Sequence, residues 1–219
     1  MSGRSQALAA FQVDTVVAEP ERRRFRARFG RYVSRRQHRA VAAHVRAIGS
    51  AKSVLDVSSG YGRWVPVLER LGPVTVLETE VSQGLIEQGR GSDDGEWPAV
   101  RAHAEQLLYE DESFDLVFCH ALMQHLPHET QAAVLAELAR VSRRHVICSF
   151  TMRAGLPGVV VRARELARGR RSNAVGWRWL ERAAADASMR PVRARGCTSH
   201  IGADRSVLFS KVRPIVDGL

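Results

Sequence analysis

Five short, nearly continuous apolar runs, set apart by helix-like segments and turns, constrain this chain more than any other feature. They are SVLDV (53–57), VTVLET (74–79), AVRAHA (99–104), FDLVFCH (114–120) and HVICSF (145–150). Runs of this kind lack the polar alternation of a half-solvated strand, so they read as strands covered on both faces. Parallel strands need a crossover, usually a helix. WVPVLERL, SQGLIEQGR and HETQAAVLAELARVS supply three. Pro66 sits near the start of the first, where proline is tolerated, and Ser82 caps the second. A further helix, WRWLERAAADAS (177–188), precedes two more strand candidates, PVRAR (191–195) and RSVLFSKV (205–212). Joined by GCTSHIGAD, this pair reads as an antiparallel edge. The expectation is a doubly wound, mainly parallel seven-stranded α/β sheet with helices on both faces.

The segment before these runs has a different texture. Residues 21–48 read as a helix: Phe25, Phe29, Tyr32 and Val33 recur at helical spacing, as do Val41, His44, Val45 and Ile48. Arg22, Arg23, Arg24, Arg35 and Arg36 take another face, and Gly49-Ser50 ends the helix. We therefore divide the 219 residues into a helical extension or cap (1–50) and a main domain (51–219). Within the main domain, 151–176 is rich in Gly and Arg and reads as an irregular insertion; with the start of the next helix it spans residues 151–180.

Composition bounds the class. No apolar run approaches the roughly 20 residues of a membrane helix, and the N-terminus has no cleavable signal pattern, so the expectation is a soluble cytoplasmic protein. Cys119, Cys148 and Cys197 are odd in number and lack CxxC spacing, which argues against a disulfide framework and a zinc site. The formal net charge is +10, with Lys52 and Lys211 the only lysines. An arginine-rich surface attracts nucleic acid, phosphorylated substrates or anionic membranes. A GC-rich genome, which favours arginine and alanine codons, accounts for the excess equally well.

Two segments carry chemistry. In VLDVSSGYGRWVPVLERL a strand holding Asp56 enters a turn with Gly60 and Gly62, and a helix follows. Glycines let backbone approach a ligand, and a helix N-terminus offers unpaired N–H groups. In VTVLETEVSQGLIEQGR, Glu78 and Glu80 both lie at the end of the next strand, about 20 residues beyond Asp56. An acid there can accept hydrogen bonds from two ribose hydroxyls.

These segments resemble the class I S-adenosylmethionine-dependent methyltransferases, especially the small bacterial ones. The family's LD-G-x-G-x-G-R turn stands here as Leu55-Asp56-Val57-Ser58-Ser59-Gly60-Tyr61-Gly62-Arg63. Its acid-hydrophobe-Ser segment matches Glu80-Val81-Ser82, with Glu87-Gln88-Gly89-Arg90 closing the helix, and this selects Glu80 over Glu78. Its third segment matches Ala102-His103-Ala104-Glu105-Gln106-Leu107-Leu108-Tyr109. The fourth matches Phe114-Asp115-Leu116-Val117 and Gln124-His125-Leu126. Leu135-Ala136-Glu137-Leu138-Ala139-Arg140-Val141 resembles the helix before strand five, and Ala187-Ser188-Met189 stands where Ala-Gly-Phe is common.

The resemblance implies a Rossmann-like fold, S-adenosyl-L-methionine as cofactor, and in-line methyl transfer. Carried over residue by residue, it implies a cofactor site of Asp56, Ser58, Ser59, Gly60, Tyr61, Gly62, Glu80, Val81, His103, Ala104, Glu105 and His120, and no metal. His120, directly after the fourth strand, and His125 are the candidate catalytic residues. For His120 the alternative is that only its backbone lines the pocket; for His125 it is a packing role. Tyr32, Arg35, Arg36 and Arg39 are candidates to cap the cofactor, Arg through its methionine carboxylate, against the alternative of a solvated basic face. Trp177 and Trp179 are candidates for the acceptor pocket.

Three positions depart from the family pattern. Ser58 replaces the first turn glycine and is expected to fit only with its backbone outside the left-handed region. His103 replaces the aspartate at the adenine. Arg143-Arg144 replaces a Pro-Gly-Gly turn, so that turn is expected to be shorter. The expected acceptor is a small molecule bearing an anionic group. The rival readings are an RNA methyltransferase, favoured by the charge, and a non-catalytic cofactor-binding relative, favoured by Ser58 and His103.

Overall fold

The computed structural model describes residues 28–60, 62–71, 75–80, 87, 99–153, 155–169, 173–197 and 203–212. Among them, seven strands form one sheet: β1 (Ser53–Val57), β2 (Thr75–Glu80), β3 (Ala99–Arg101), β4 (Phe114–Cys119), β5 (Ser142–Thr151), β6 (Met189–Gly196) and β7 (Asp204–Lys211). The spatial order is β3-β2-β1-β4-β5-β7-β6. The first five strands are parallel. β7 runs antiparallel to both β5 and β6. The sheet is therefore the doubly wound one expected, and its last two strands make the antiparallel edge. From β1 the chain winds outward through β2 to β3, then crosses back to β4 and on to β5, so the order switches between β1 and β4. Ligands of open parallel sheets bind outside the carboxyl ends of strands at such a switch.

Helices α1 (Arg28–Ile48), α2 (Val65–Leu68, continued by a 3₁₀ turn at Glu69–Leu71), α3 (His128–Val141), α4 (Gly155–Arg168) and α5 (Trp177–Asp186) complete the described structure. Residues 21–27 of the expected first helix, and the expected helix at 82–90 apart from helical Glu87, lie outside the described residues.

Two apolar layers result. Val41, Ala42 and Val45 of α1 pack with Trp64, Val65, Val67 and Leu68 onto Val54, Val76, Leu116, Phe118 and Ile147. On the opposite face, Val134, Leu135 and Leu138 of α3 and Leu180 of α5 cover Leu55, Val117, Val146, Phe150 and Phe209. Cys119 and Cys148 are register neighbours in adjacent strands, free and buried, as small core residues often are.

The structure corrects two local expectations. α3 ends at Val141 and β5 begins at Ser142, so there is no turn before β5 at all. Arg143 instead extends the strand and bonds Asp115 at 2.9 Å. Lys211 donates to the carbonyls of Ala139 and Ser142 and so neutralises the negative end of α3. The segment after β5 is not wholly irregular, since 14 of its residues form α4. Gly155, Pro157 and Gly158 hid its period. Gly158 fits closely there, because a Cβ would lie 3.0 Å from the Arg153 carbonyl carbon and the backbone would have to shift. The Arg153–Glu165 ion pair, 2.9 Å, ties α4 back to the end of β5.

Candidate functional site

The turn between β1 and α2 is pinned to β2 by backbone. The N–H groups of Ser58 and Ser59 both donate to the Thr79 carbonyl, at 2.7 and 3.3 Å. Three residues of the turn are left-handed: Ser58 (φ 61°), Gly60 (64°) and Gly62 (78°). Ser58 is thus left-handed, a conformation glycine adopts most readily, contrary to the sequence expectation. A left-handed non-glycine residue costs about 1–2 kcal/mol, and such strain collects at functional sites. A Cβ on Gly60 would meet nothing within 4 Å, whereas one on Gly62 would lie 3.0 Å from Glu78 Oε1. The turn is open above Gly60 and closed onto an acid below Gly62.

Three carboxyl groups lie beneath this turn. Asp56 and Glu78 are register partners on β1 and β2, and Glu80 ends β2 on the same side of the sheet. All three are buried. Glu80 Oε2 accepts from the Gly60 N–H at 3.0 Å. Both oxygens of Asp56, and Oε1 of Glu78, are buried without a hydrogen-bond partner. Burial first, then repulsion from Glu78 and Glu80, pushes the Asp56 carboxyl well above the usual carboxylate range; Arg63 opposes this. Burial and then Glu80 push Glu78 up to about 7.

His120 follows β4 at the same edge and is buried. Its ring packs 4.6 Å from Trp64 and stacks on Phe118 at 6.1 Å, while His38 of α1 packs against Trp64 at 4.9 Å. Neither ring nitrogen has a hydrogen-bond partner. Burial, reinforced by Arg63 and His38, drives its pKa well below the usual value, so the ring is neutral at pH 7. An orphaned buried polar group costs about 1–3 kcal/mol, and a native fold keeps one for a reason. Arg63 lies over Trp64 at 4.5 Å and donates to Gln37 Oε1 at 2.5 Å, which fastens α1 to the turn.

The remaining sequence candidates distribute unevenly. The Ala102 N–H donates to the Glu80 carbonyl at 3.2 Å, which brings the loop of His103, Ala104 and Glu105 alongside the acid. His103 is exposed, and Ala104 and Glu105 are half-buried. Ser59 is buried beneath the turn. His125 sits exposed on the 3₁₀ turn Met123–His125 after β4. Tyr61 and Val81 lie outside the described residues. Tyr32, Arg35 and Arg39 are exposed on α1, and Arg36 approaches Gly196 at the end of β6. Sequence reasoning missed Trp64, the hub of the His38–His120 stack. Its signal was a tryptophan immediately after the glycine turn. It also missed Ala121, left-handed at φ 67° and held by a 2.7 Å bond to Ser149 Oγ, for which the sequence offers no cue.

Comparisons with known proteins agree with this arrangement. Residues 55–150 match the family described as "Methyltransferase domain". The matched stretch runs from β1 to β5 and is similar to that family; S-adenosylmethionine is the cofactor that the sequence resemblance implies. A stretch of 120 residues, 51% of this chain, is 32% identical to the methyltransferase GfsG of Streptomyces halstedii and covers 42% of it. The chain thus spans less than half of that relative. The fold superposes on magnesium protoporphyrin IX methyltransferase from Synechocystis PCC 6803 with bound SAH, at a TM-score of 0.75, 17% identity, and coverage of 95% of this chain and 99% of that one. An S-adenosylmethionine-dependent methyltransferase from Mesorhizobium loti superposes at 0.61, with 13% identity and coverage of 80% and 98%. At these identities the structural likeness concerns the fold.

The residues present fit the cofactor. The backbone above Gly60 is open to a ligand, and Glu80 is already oriented by the turn.

Proposed function

We propose that this chain transfers the methyl group of S-adenosylmethionine to a small-molecule acceptor bearing an anionic group. The observation that carries the reading is the 3.0 Å bond from Gly60 N–H to Glu80 Oε2. It joins the open glycine turn to the acid at the end of β2 within a matched methyltransferase domain. Glu80 is then the acid that accepts from the ribose hydroxyls. Ser58, Ser59, Gly60, Tyr61 and Gly62 border the methionine part, and Val81, His103, Ala104 and Glu105 the adenine. Asp56 supports the turn from below.

When bound, the cofactor supplies an electrophilic methyl on a positively charged sulfur. The protein's share is alignment and exclusion of water. Trp64 and the α1 residues Gln37 and His38 close the site from one side. For a hydroxyl acceptor His120 takes the proton: its ring is neutral, with two unengaged nitrogens. His125, on the following turn, is the second candidate for contact with the acceptor. Residues 1–50 act as the cap, 51–219 as the cofactor-binding domain, and 151–180 as the acceptor wall. Among the described residues no helix is long and apolar enough to cross a membrane, and three free cysteines suit the cytoplasm.

A thermal melt tests the reading. At about 100 times its Kd, the cofactor adds about 2.7 kcal/mol of stability, which raises Tm by about 5–10 °C in a chain of this size. No shift at millimolar S-adenosylmethionine overturns it and favours a non-catalytic relative.

One observation favours an RNA acceptor. α1 and β6 contain no acidic residue, yet Arg31, Arg35, Arg39 and Arg46, with Arg190, Arg193 and Arg195, are exposed on them. RNA binding that weakens steeply with salt, at a slope reporting several phosphate contacts, is the outcome this second reading requires.

A further inference from the structure

We propose that the buried carboxyl group of Glu78 acts with Glu80 as a charge filter beneath the turn, favouring the sulfonium form of the cofactor over its neutral thioether product, and that Glu78 sets the strength of this preference. The inference rests on the reading of this turn as the cofactor site.

Glu78 is surplus to holding the turn. Backbone bonds from Ser58 and Ser59 to Thr79 fix the loop, and Glu80 alone engages the Gly60 N–H. Glu78 nevertheless points its Oε1 at Gly62, buried and without a hydrogen-bond partner, beside an Asp56 whose two oxygens are also unpartnered. Burying unpaired acids side by side is unfavourable, and an apolar residue at position 78 would fit a strand more stably. The carboxyl is kept against that penalty.

The two ligands isolate what a negative cluster can do. S-adenosylmethionine and S-adenosylhomocysteine carry the same ammonium, carboxylate, ribose and adenine. They differ by one methyl group and one positive charge. Negative charge under the turn therefore acts on their difference and cancels in everything else. In a partly buried site one additional charge within about 10 Å is worth roughly an order of magnitude in affinity.

The charged and titratable groups around Glu78 fix the direction. Asp56 faces it from β1 and Glu80 follows it on β2. Arg63, in the turn, offsets part of the Asp56 repulsion. Arg101 on β3 is the register partner of Glu80. Cys119, at the end of β4, is held as a neutral thiol by Cys148 and by burial. With Glu78 pushed up to about 7, it is mostly protonated near pH 6 and mostly ionised near pH 8. The filter strengthens as pH rises.

The test measures Kd for S-adenosylmethionine and S-adenosylhomocysteine at about pH 6 and pH 8. In the wild-type chain the ratio of product Kd to cofactor Kd rises about fivefold to tenfold across this range. In Glu78→Gln the ratio stays flat. A flat ratio in the wild type, or an undiminished rise in Glu78→Gln, overturns the proposal. Calorimetry of the wild type near pH 7, in buffers of different ionisation enthalpy, gives a second readout that needs no variant. S-adenosylmethionine releases more protons on binding than the product does; equal release by both overturns the filter. Absence of binding by either ligand overturns the cofactor reading itself.

Discussion

The two faces of the sheet are built from opposite materials. Under α3 and α5 the buried layer is almost entirely aliphatic and aromatic, and among the described residues its titratable members on the strands are the thiols Cys119 and Cys148. Under α1 and α2 the same strands bury Asp56, Glu78, Glu80, His120 and, from the helix side, His44. His44 bonds the Ser206 carbonyl at 3.1 Å and is driven down to about 4, chiefly by burial. One face is made to be stable, and the other accepts electrostatic penalties at the carboxyl edge where the candidate site lies. Substitutions on the two faces should therefore fail in different ways.

The largest expected effect is on the apolar face. Phe150 is fully buried and meets Phe209 edge-on at 6.2 Å. Phe150→Ala should lower the unfolding free energy by about 3–5 kcal/mol. The loss should be nearly independent of pH, with cofactor affinity of the folded molecules unchanged. Urea denaturation at two pH values, with calorimetry, checks both halves. A matching fall in affinity would break the division between faces.

On the other face Glu80→Ala should behave in reverse. Losing hydrogen bonds to a charged group weakens S-adenosylmethionine binding by about 2–3 kcal/mol. Stability should stay level or rise, because one of three mutually repelling carboxyl groups is gone. A variant that binds normally but is destabilised would recast Glu80 as a structural cap of the turn.

This asymmetry was only partly legible in the sequence. Apolar strand runs and helix periods announced the sheet, because burial on both faces leaves a continuous pattern. β1 was read to the residue, and the antiparallel edge was anticipated. One serine misled. Ser58 stands where glycine is usual, and the expectation was a backbone outside the left-handed region. Yet it adopts that conformation at φ 61°, as does Ser188 at 54°. Tertiary constraint imposed the backbone, and residue type alone does not reveal that. The acidic layer was half visible: Asp56, Glu78 and Glu80 were all singled out, but burial of all three together needs the strand register. The His38–Trp64–His120 stack joins α1, the turn and β4, so no local pattern encodes it. α4 was hidden by glycine and proline at its start, where helix rules permit them but propensity does not favour them.

A smaller effect separates the faces by pH. A buried carboxyl raised to about 7 holds its proton in the folded state while the unfolded chain, near 4.5, has lost it. Its stabilising protonation is complete below about 4.5 and is lost as pH rises through about 7. His44 works the other way, since its lowered pKa makes folding less favourable as pH falls from about 6.5 towards 4. Glu78→Gln should therefore raise Tm at pH 8 by about 2–4 °C, allowing for solvent screening, and should change little at pH 5. Equal shifts at both pH values would mean that the carboxyl's shape, not its charge, matters.

The smallest stability change is expected where the apolar face meets solvent. Trp177 and Trp179 lie two positions apart on α5 and face different ways. Trp179 packs against His128, 5.5 Å away, and the apolar layer. Trp177 is 39% exposed, and its Nε1 donates to Glu181 at 2.7 Å. An exposed tryptophan held by one surface bond contributes little to folding, so Trp177→Ala should change stability by no more than about 0.5 kcal/mol. If residues 151–180 wall the acceptor pocket, its indole is available for an apolar acceptor body, with the exposed Arg162 of α4 suited to an anionic group. Trp177→Ala should then raise the acceptor KM several-fold, with kcat and cofactor Kd near their original values. Trp179→Ala serves as the control: it should lower stability by more than Trp177→Ala does, because it opens a gap beside α3. Unchanged acceptor kinetics in a folded Trp177→Ala would shift the acceptor wall to α1, where Tyr32 and Arg35 are exposed on the polar face's side of the molecule. The apolar face would then be purely structural.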